Sequence, residues 1–284
     1  MRSVAFYVNL HRPRALEFAR GAAAIAASRG IDVALADEDA ELVDIGTPQS
    51  SLADAELVVT FGGDGTLLRA MRFAVPLDVP VFGVNTGRLG FLTEIDEHDN
   101  VLTELADVFD GAFRVEERLA LEATVNGEGA HFALNDVVVR RASNARMAPF
   151  GLALDGETIA SLPSDGIIVA TPTGSTAYFL SAGGPIISPG VDALGIAALL
   201  PHTLFARPLI VPTSSTIAIT VDSESMHANL DIDGLLAGDL APGDTVTVRR
   251  GPRPAKFART RPNGFFSRLE EKLQWGVPIK RDAG

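Results

Sequence analysis

The sequence predicts an α/β N-terminal domain built on a parallel sheet, followed by a mainly β C-terminal domain. Three observations carry this. Residues 1–111 alternate apolar strand-like runs with helix-like segments, the order a parallel sheet requires. Beyond residue 112, short apolar runs succeed one another across Gly, Asn and Asp turns with few helical patterns between them. Two glycine-rich turns, Gly62-Gly63-Asp64-Gly65-Thr66 and Asn85-Thr86-Gly87-Arg88-Leu89-Gly90-Phe91, each follow the end of a strand-like run. Two such loops on one face of a sheet make a cleft.

In order, Val4–Val8 reads as a strand, Arg14–Arg29 as an alanine-rich helix stopped by Gly30, and Ile31–Ala36 as a second strand. Leu57–Phe61 is a third strand, Leu67–Phe73 a short helix, Val79–Val84 a fourth strand, and Asn100–Phe109 a helix stopped by Gly111. In the β region, Arg114–Val125 and Ala130–Arg140 flank Asn126-Gly127-Glu128-Gly129, a hairpin signal. Further strands are expected at Phe150–Asp155, Ile159–Leu162, Ile167–Ala170, Leu209–Pro212, Thr216–Val221, Ala228–Ile232, Thr245–Arg249 and Lys256–Ala258. A last helix, Gly264–Trp275, carries Phe265, Leu269 and Leu273 as one apolar stripe. The expected division is therefore 1–111, 112–262 and a terminal helix and tail, 263–284, packing back on the first domain.

Composition narrows the partners. The 24 Lys and Arg stand against 36 Asp and Glu, a net charge of -12. The longest basic stretch is the broken Arg249-Arg250-Gly251-Pro252-Arg253, so nucleic acid is not an expected partner. An anionic substrate must be met by local donors, against the field of the whole chain. The absence of cysteine removes disulfides and thiolate chemistry. The histidines at 11, 98, 131, 202 and 227 lack metal-binding spacing, so no residue is assigned to a metal. The first residues pass at once into a strand without a signal-peptide pattern, and the apolar stretch Ala193–Leu200 is too short for a bilayer. A cytoplasmic protein without membrane partners is expected.

The chemistry-bearing residues fall in three groups. Gly62–Thr66 joins a strand to a helix, which gathers backbone N–H groups at one point with the carboxylate of Asp64 among them. Glycine there permits close backbone approach or a turn of positive φ. A plain surface turn is the competing reading. The second group, Thr171-Pro172-Thr173-Gly174-Ser175-Thr176-Ala177-Tyr178 with Ser181, offers hydroxyls that bind ribose, phosphate or base edges without charge. Helix capping by Ser175 or Thr176 competes with that reading. Asn135-Asp136 lies within the apolar Phe132–Val139 run, where a buried carboxylate needs a partner and a bound polyol is one.

These segments, together with Ser164-Asp165-Gly166 and Pro201-His202-Thr203-Leu204 followed by Arg207-Pro208, resemble the ordered signature of the ATP- or polyphosphate-dependent NAD kinases over nearly the whole chain. The resemblance implies NAD held between an α/β and a β domain, with ATP donating phosphate to the adenosine 2'-hydroxyl. It implies that Asp64 faces that hydroxyl as base or orienting acceptor, late in transfer because a carboxylate is a weak base beside an alkoxide. It further implies nucleotide contacts at Gly62, Gly63, Asp64, Gly65, Thr66, Asn85, Asn135, Asp136, Asp165, Thr173, Ser175, Thr176, Ala177, Tyr178 and Ser181. Asp136 is one methylene shorter than the family's usual glutamate, which shortens its reach. Mg²⁺ is expected to enter mainly with the donor phosphates, with direct contact to Asp64 as the alternative, Arg88 and His227 to be surface or packing residues, and the active form to be a homodimer or homotetramer. Lipid or diacylglycerol kinases share the glycine-aspartate loop, and a non-catalytic dinucleotide-binding protein would share the rest; both stand as alternatives. A module that only oligomerises would leave all three loops without a purpose.

Overall fold

The structure, a computed structural model, describes residues 1–35, 52–87, 90–97, 100–142, 149–204, 206–221, 227–262 and 264–276. Arg88, named above, lies outside them. The chain forms two compact units, one of Met1–Glu116 with Lys256–Gly284 and one of Glu117–Ala255.

In the first unit β1 (Ser3–Val8), β2 (Asp32–Leu35), β3 (Leu57–Gly62) and β4 (Val81–Asn85) run parallel in the order β2-β1-β3-β4. β3 and β4 are buried along their whole length, as strands covered on both faces must be. The free edge of β4 is shared: β5 (Ile95–Asp96) pairs at Val84 and Asn85, and the later β19 (Ala255–Arg259) pairs at Val81. α1 (Pro13–Ser28), α2 (Asp64–Leu77) and α3 (Val101–Phe109) supply the crossovers and bury apolar faces. Phe6 anchors the core between Phe61, edge-on at 5.2 Å, and Phe109, stacked at 6.5 Å. α2 is longer than the expected Leu67–Phe73. It begins at Asp64 itself and runs through Pro76 to a left-handed Asp78.

β6 (Arg114–Arg118) closes the first sheet, and the second unit is built of β7 (Leu121–Val125), β8 (Glu128–Ala133), β9 (Asp136–Arg141), β10 (Pro149–Leu154), β11 (Glu157–Pro163), β12 (Gly166–Ala170), β13 (Ala193–Leu199), β14 (Leu209–Pro212), β15 (Ile217–Val221), β16 (Ala228–Ile232), β17 (Leu235–Leu240) and β18 (Thr245–Arg250). They form two antiparallel six-stranded sheets, ordered β11-β10-β15-β18-β7-β8 and β14-β13-β12-β9-β16-β17. Alternating residues of both, among them Leu121, Val139, Phe150, Ile167, Ile219 and Val246, make one core.

Several expected strands divide. Arg114–Val125 breaks into β6 and β7, which belong to different sheets, and Ala130–Arg140 breaks into β8 and β9. Asn135 is thus in a link between strands rather than inside one. Ala193–Leu200, unassigned above, supplies the buried strand β13, and β17 is joined to β16 by Asp233-Gly234, both at positive φ as a tight hairpin turn demands.

Candidate active-site residues

β3 ends among neighbours that follow β1 and β4. The Asn9 N–H donates to Phe61 O at 2.8 Å and the Thr86 N–H to Gly62 O at 3.0 Å. Gly62 has a packing reason, since a Cβ there would sit 2.2 Å from Thr66 Oγ1. Gly63 and Gly65 have open space where a Cβ would be, and none of the three glycines adopts positive φ. The strained turn allowed for above is therefore absent: what remains is close approach from outside, over the first turn of α2, whose leading N–H groups have no intrahelical acceptor.

Asp64 is the first residue of α2. Its Oδ2 accepts the Phe91 N–H at 2.7 Å and its Oδ1 the Leu92 N–H at 3.1 Å. Gly90 makes this possible, because a Cβ at that position would lie 2.1 Å from Asp64 Oδ1. The second glycine turn thus holds the carboxylate of the first, leaving lone pairs on both oxygens for a substrate hydroxyl. Asn85 is buried and acts on this turn from beneath: its Nδ2 donates to Asp96 Oδ1 at 2.6 Å and its Oδ1 accepts the Gly87 N–H at 3.2 Å.

The C-terminal helix α5 (Phe265–Leu273) reaches the same place. Arg268 Nη1 donates to Phe91 O at 2.6 Å, and Lys272 Nζ lies 3.7 Å from Asp64 Oδ2 and 4.1 Å from the centre of the Phe91 ring. Burial pushes the Lys272 ammonium below its ordinary value, Asp64 opposes this, and Arg268 adds to it. The inward face differs from the expected stripe: Leu269 is buried but Leu273 is exposed. At about 100° per residue, positions 265, 269 and 272 fall within roughly 60° of one another, with 273 turned further outward. The loop is anchored again by Glu94, buried and bonded to Arg259 Nη1 and to the N–H groups of Thr260 and Arg261 at 2.8–2.9 Å. Lys272, Arg268, Glu94 and Arg259 were not singled out from the sequence; no local pattern marks them, because all act across more than 150 residues.

In the second unit the link between β8 and β9 is fixed by Asp233. Its Oδ1 accepts the N–H groups of Asn135 at 2.7 Å and Asp136 at 3.1 Å, and its Oδ2 that of Leu134 at 2.9 Å. The Asp-Gly pair at 233–234 is a turn signal, but the same pair recurs at 64, 110, 155 and 165 and does not single this residue out. Asp136, 3% exposed, is pushed up to about 7 by burial, with the charges of Asp233 and Asp231 adding to the effect. The Thr171–Thr176 loop packs on the link: the Thr171 N–H donates to Asn135 O at 2.9 Å, its hydroxyl to Leu134 O at 2.6 Å, and a Cβ on Gly174 would lie 2.0 Å from Asn135 O.

Most hydroxyls of that loop are occupied by the fold. Ser175 Oγ donates to Pro172 O and accepts the Ile187 N–H, Thr176 Oγ1 donates to Thr173 O, and Thr173 Oγ1 accepts from Arg118. Neither Ser175 nor Thr176 caps the short helix α4 (Tyr178–Ser181). Tyr178 and Ser181 are exposed and Ala177 half-buried. Asp165 is elsewhere: it precedes β12 whereas Thr171 follows it, about 20 Å away at 3.3 Å per residue. Its carboxylate pairs with Arg141 at 2.8 Å. His227 is exposed at the start of β16.

Comparison with known proteins bears on both units. Residues 4–113 match the ATP-NAD kinase N-terminal domain model and residues 134–260 the ATP-NAD kinase C-terminal domain model. A NAD kinase of Heliobacterium modesticaldum is 41% identical over 283 residues, covering 97% of this chain and all of that protein. One of Moorella thermoacetica is 38% identical, covering 97% and 90%. Among solved structures, yeast NADH kinase complexed with NADH superposes with a TM-score of 0.83 at 26% identity, over 99% of this chain and 89% of that one. An NAD kinase from Archaeoglobus fulgidus in complex with ATP gives 0.73 at 25% identity, over 96% and 99%.

Proposed function

The chain belongs to the ATP-NAD kinase family, and from that premise we propose that it transfers the γ-phosphoryl group of ATP to the adenosine 2'-hydroxyl of NAD, giving NADP and ADP. The observation that carries the reading is the Asp64 carboxylate, fixed by the Phe91 and Leu92 amides beside a glycine loop open to a ligand. Phosphoryl transfer needs alignment and charge neutralisation more than covalent chemistry. Asp64 accepts the hydroxyl proton or orients it, the Gly62–Thr66 backbone receives phosphate oxygens, and Asn135 and Asp136 bind the adenosine ribose. Asp165, Thr173, Thr176, Ala177, Tyr178 and Ser181 are proposed dinucleotide contacts through side chain or backbone, whereas Asn85 and Ser175 act by holding their loops.

Asp64 is poorly suited to a resident cation: both oxygens accept N–H groups, and an ammonium lies 3.7 Å from Oδ2. Mg²⁺ is therefore written as part of the donor, as MgATP. Among the described residues no helix is long and apolar enough to cross a membrane, and we take the protein to act in the cytoplasm. We also propose a homo-oligomer. Support comes from the sheet-edge strands β14 and β17, which expose Leu209, Ile210, Leu235 and Leu236. Incubation with Mg²⁺, ATP and NAD tests the main reading: NADP and ADP should form in equal amounts. Phosphatidic acid from diacylglycerol, with no NADP, would refute it.

A further inference from the structure

The C-terminal helix α5 sets a cation on the Asp64 carboxylate. Lys272 Nζ lies 3.7 Å from Asp64 Oδ2, and among the described residues no other carboxylate pairs with it. The contact is sheltered, the Lys272 side chain being 21% exposed and that of Asp64 28%. Two features hold the ammonium there. It sits 4.1 Å from the centre of the Phe91 ring, whose π face attracts a cation. One turn back, Arg268 Nη1 donates to Phe91 O at 2.6 Å and ties the helix to the same residue. α5 thus grips Phe91 at carbonyl and ring, while the Phe91 N–H donates to Asp64 Oδ2 at 2.7 Å. Leu269 is buried on the same helix, and Glu270 and Glu271 are exposed, so neither competes for the ammonium. The carboxylate is loaded unevenly. Oδ2 accepts an amide and faces the ammonium, whereas Oδ1 accepts the Leu92 N–H at 3.1 Å and keeps the freer lone pair for a substrate hydroxyl.

We propose that Lys272 is a positioning residue for phosphoryl transfer, acting through Asp64: its ammonium offsets the carboxylate's charge where an anionic phosphoryl group approaches, and holds Oδ2 so that Oδ1 meets the acceptor hydroxyl. This role rests on the phosphoryl-transfer reading and adds what lets a carboxylate stand beside a phosphate loop. A bare Asp64, in a chain of net charge -12, would repel the group it must help to transfer. An ammonium already fixed by ring and helix counters that repulsion without reorganising during the reaction. Lys272 keeps its proton throughout. The hydroxyl proton goes to Asp64 as the new oxygen–phosphorus bond forms, and the bond from the γ phosphorus to its bridging oxygen breaks with its electron pair leaving on ADP.

The test is steady-state kinetics of the full chain with Lys272→Met, which keeps the apolar stem and loses the charge, and Lys272→Arg, which keeps the charge. Lys272→Met should lower kcat about tenfold, because a misplaced catalytic group costs rate. The KM values for NAD and for ATP should change by less than about twofold. Lys272→Arg should recover most of the lost rate. In an Asp64→Asn background Lys272→Met should cost less than about twofold, since residues that act as one unit are not additive. A residue that only stabilises the fold would cost the same in either background, so an additive loss overturns the proposal. An arginine variant as slow as the methionine one also overturns it, as does a raised KM for ATP at unchanged kcat, which would make Lys272 a donor contact. Lys272→Gln repeats the series if methionine lowers the melting temperature. Wild-type NADP formation separates the two readings. With none, the kinase reading falls and this one with it; with normal formation and an unaffected Lys272→Met, only this one falls.

Discussion

Asp136→Asn keeps the shape of a buried side chain and removes its ability to ionise. Burial, reinforced by Asp233 and Asp231, lifts the Asp136 carboxyl from 3.8 to about 7 in the fold. The folded chain therefore binds a proton that the unfolded chain has released over that interval. The stability from Asp136 is fully present below about pH 4 and is lost as pH rises toward 7. A displacement of roughly three units at 1.4 kcal/mol each makes the difference about 4 kcal/mol. No discount for solvent applies, because the residue is 3% exposed. Urea denaturation of wild type and Asp136→Asn should give similar stability at pH 4. By pH 8 the variant should be the more stable, by up to that amount. NAD affinity should move the other way. If the carboxylate is the ribose acceptor, wild-type affinity rises about tenfold between pH 6 and 8 as the group ionises, and the asparagine variant shows no such rise. A stability difference constant across pH would refute the burial argument, and a flat wild-type NAD titration would refute the contact.

Asp64→Asn should lower kcat by at least about 10²-fold with a much smaller change in NAD affinity; near-normal turnover at saturating NAD would remove Asp64 from the chemistry. Gly90→Ala must displace either the loop or the carboxylate, since the added atom would meet Asp64 Oδ1 at 2.1 Å, and a destabilisation of about 1–3 kcal/mol together with lost activity is expected from overpacking. Wild-type activity and melting temperature in that variant would show that the Asp64 clamp is dispensable. Light scattering at assay concentration should give two or four times the 29.9 kDa chain mass, and full specific activity at the single-chain mass would reject assembly.

The parallel sheet was legible because β1, β3 and β4 are each apolar runs bounded by glycine or polar turns. The Asn126-Gly127 hairpin was legible because only a left-handed pair closes it. The break between β8 and β9 was not. The apolar pattern continues through Leu134, and what ends the pairing is the carboxylate of Asp233, 98 residues from Asn135. The candidate site residues divide the same way. Asp64 announces itself by its glycines, whereas Lys272 is one cation among 24 until a helix turns it inward. Hydroxyl density around Ser175 was real, yet hydroxyls satisfy neighbouring carbonyls as readily as ligands, and sequence gives no means of telling the two uses apart.

The shared edge of β4 has a consequence for how the protein is made. β19 and α5 follow the second unit in sequence and are synthesised after it. During translation, roughly half a minute for a chain of this length at about 10 residues per second, the nascent N-terminal segment carries its glycine loop and Asp64. It still lacks β19, Arg268 and Lys272. The Asp64 carboxylate gains these neighbours only after residues 255–273 have emerged, so a nascent chain arrested before them would fold much of this sheet with neither Arg268 nor Lys272 beside the glycine loops.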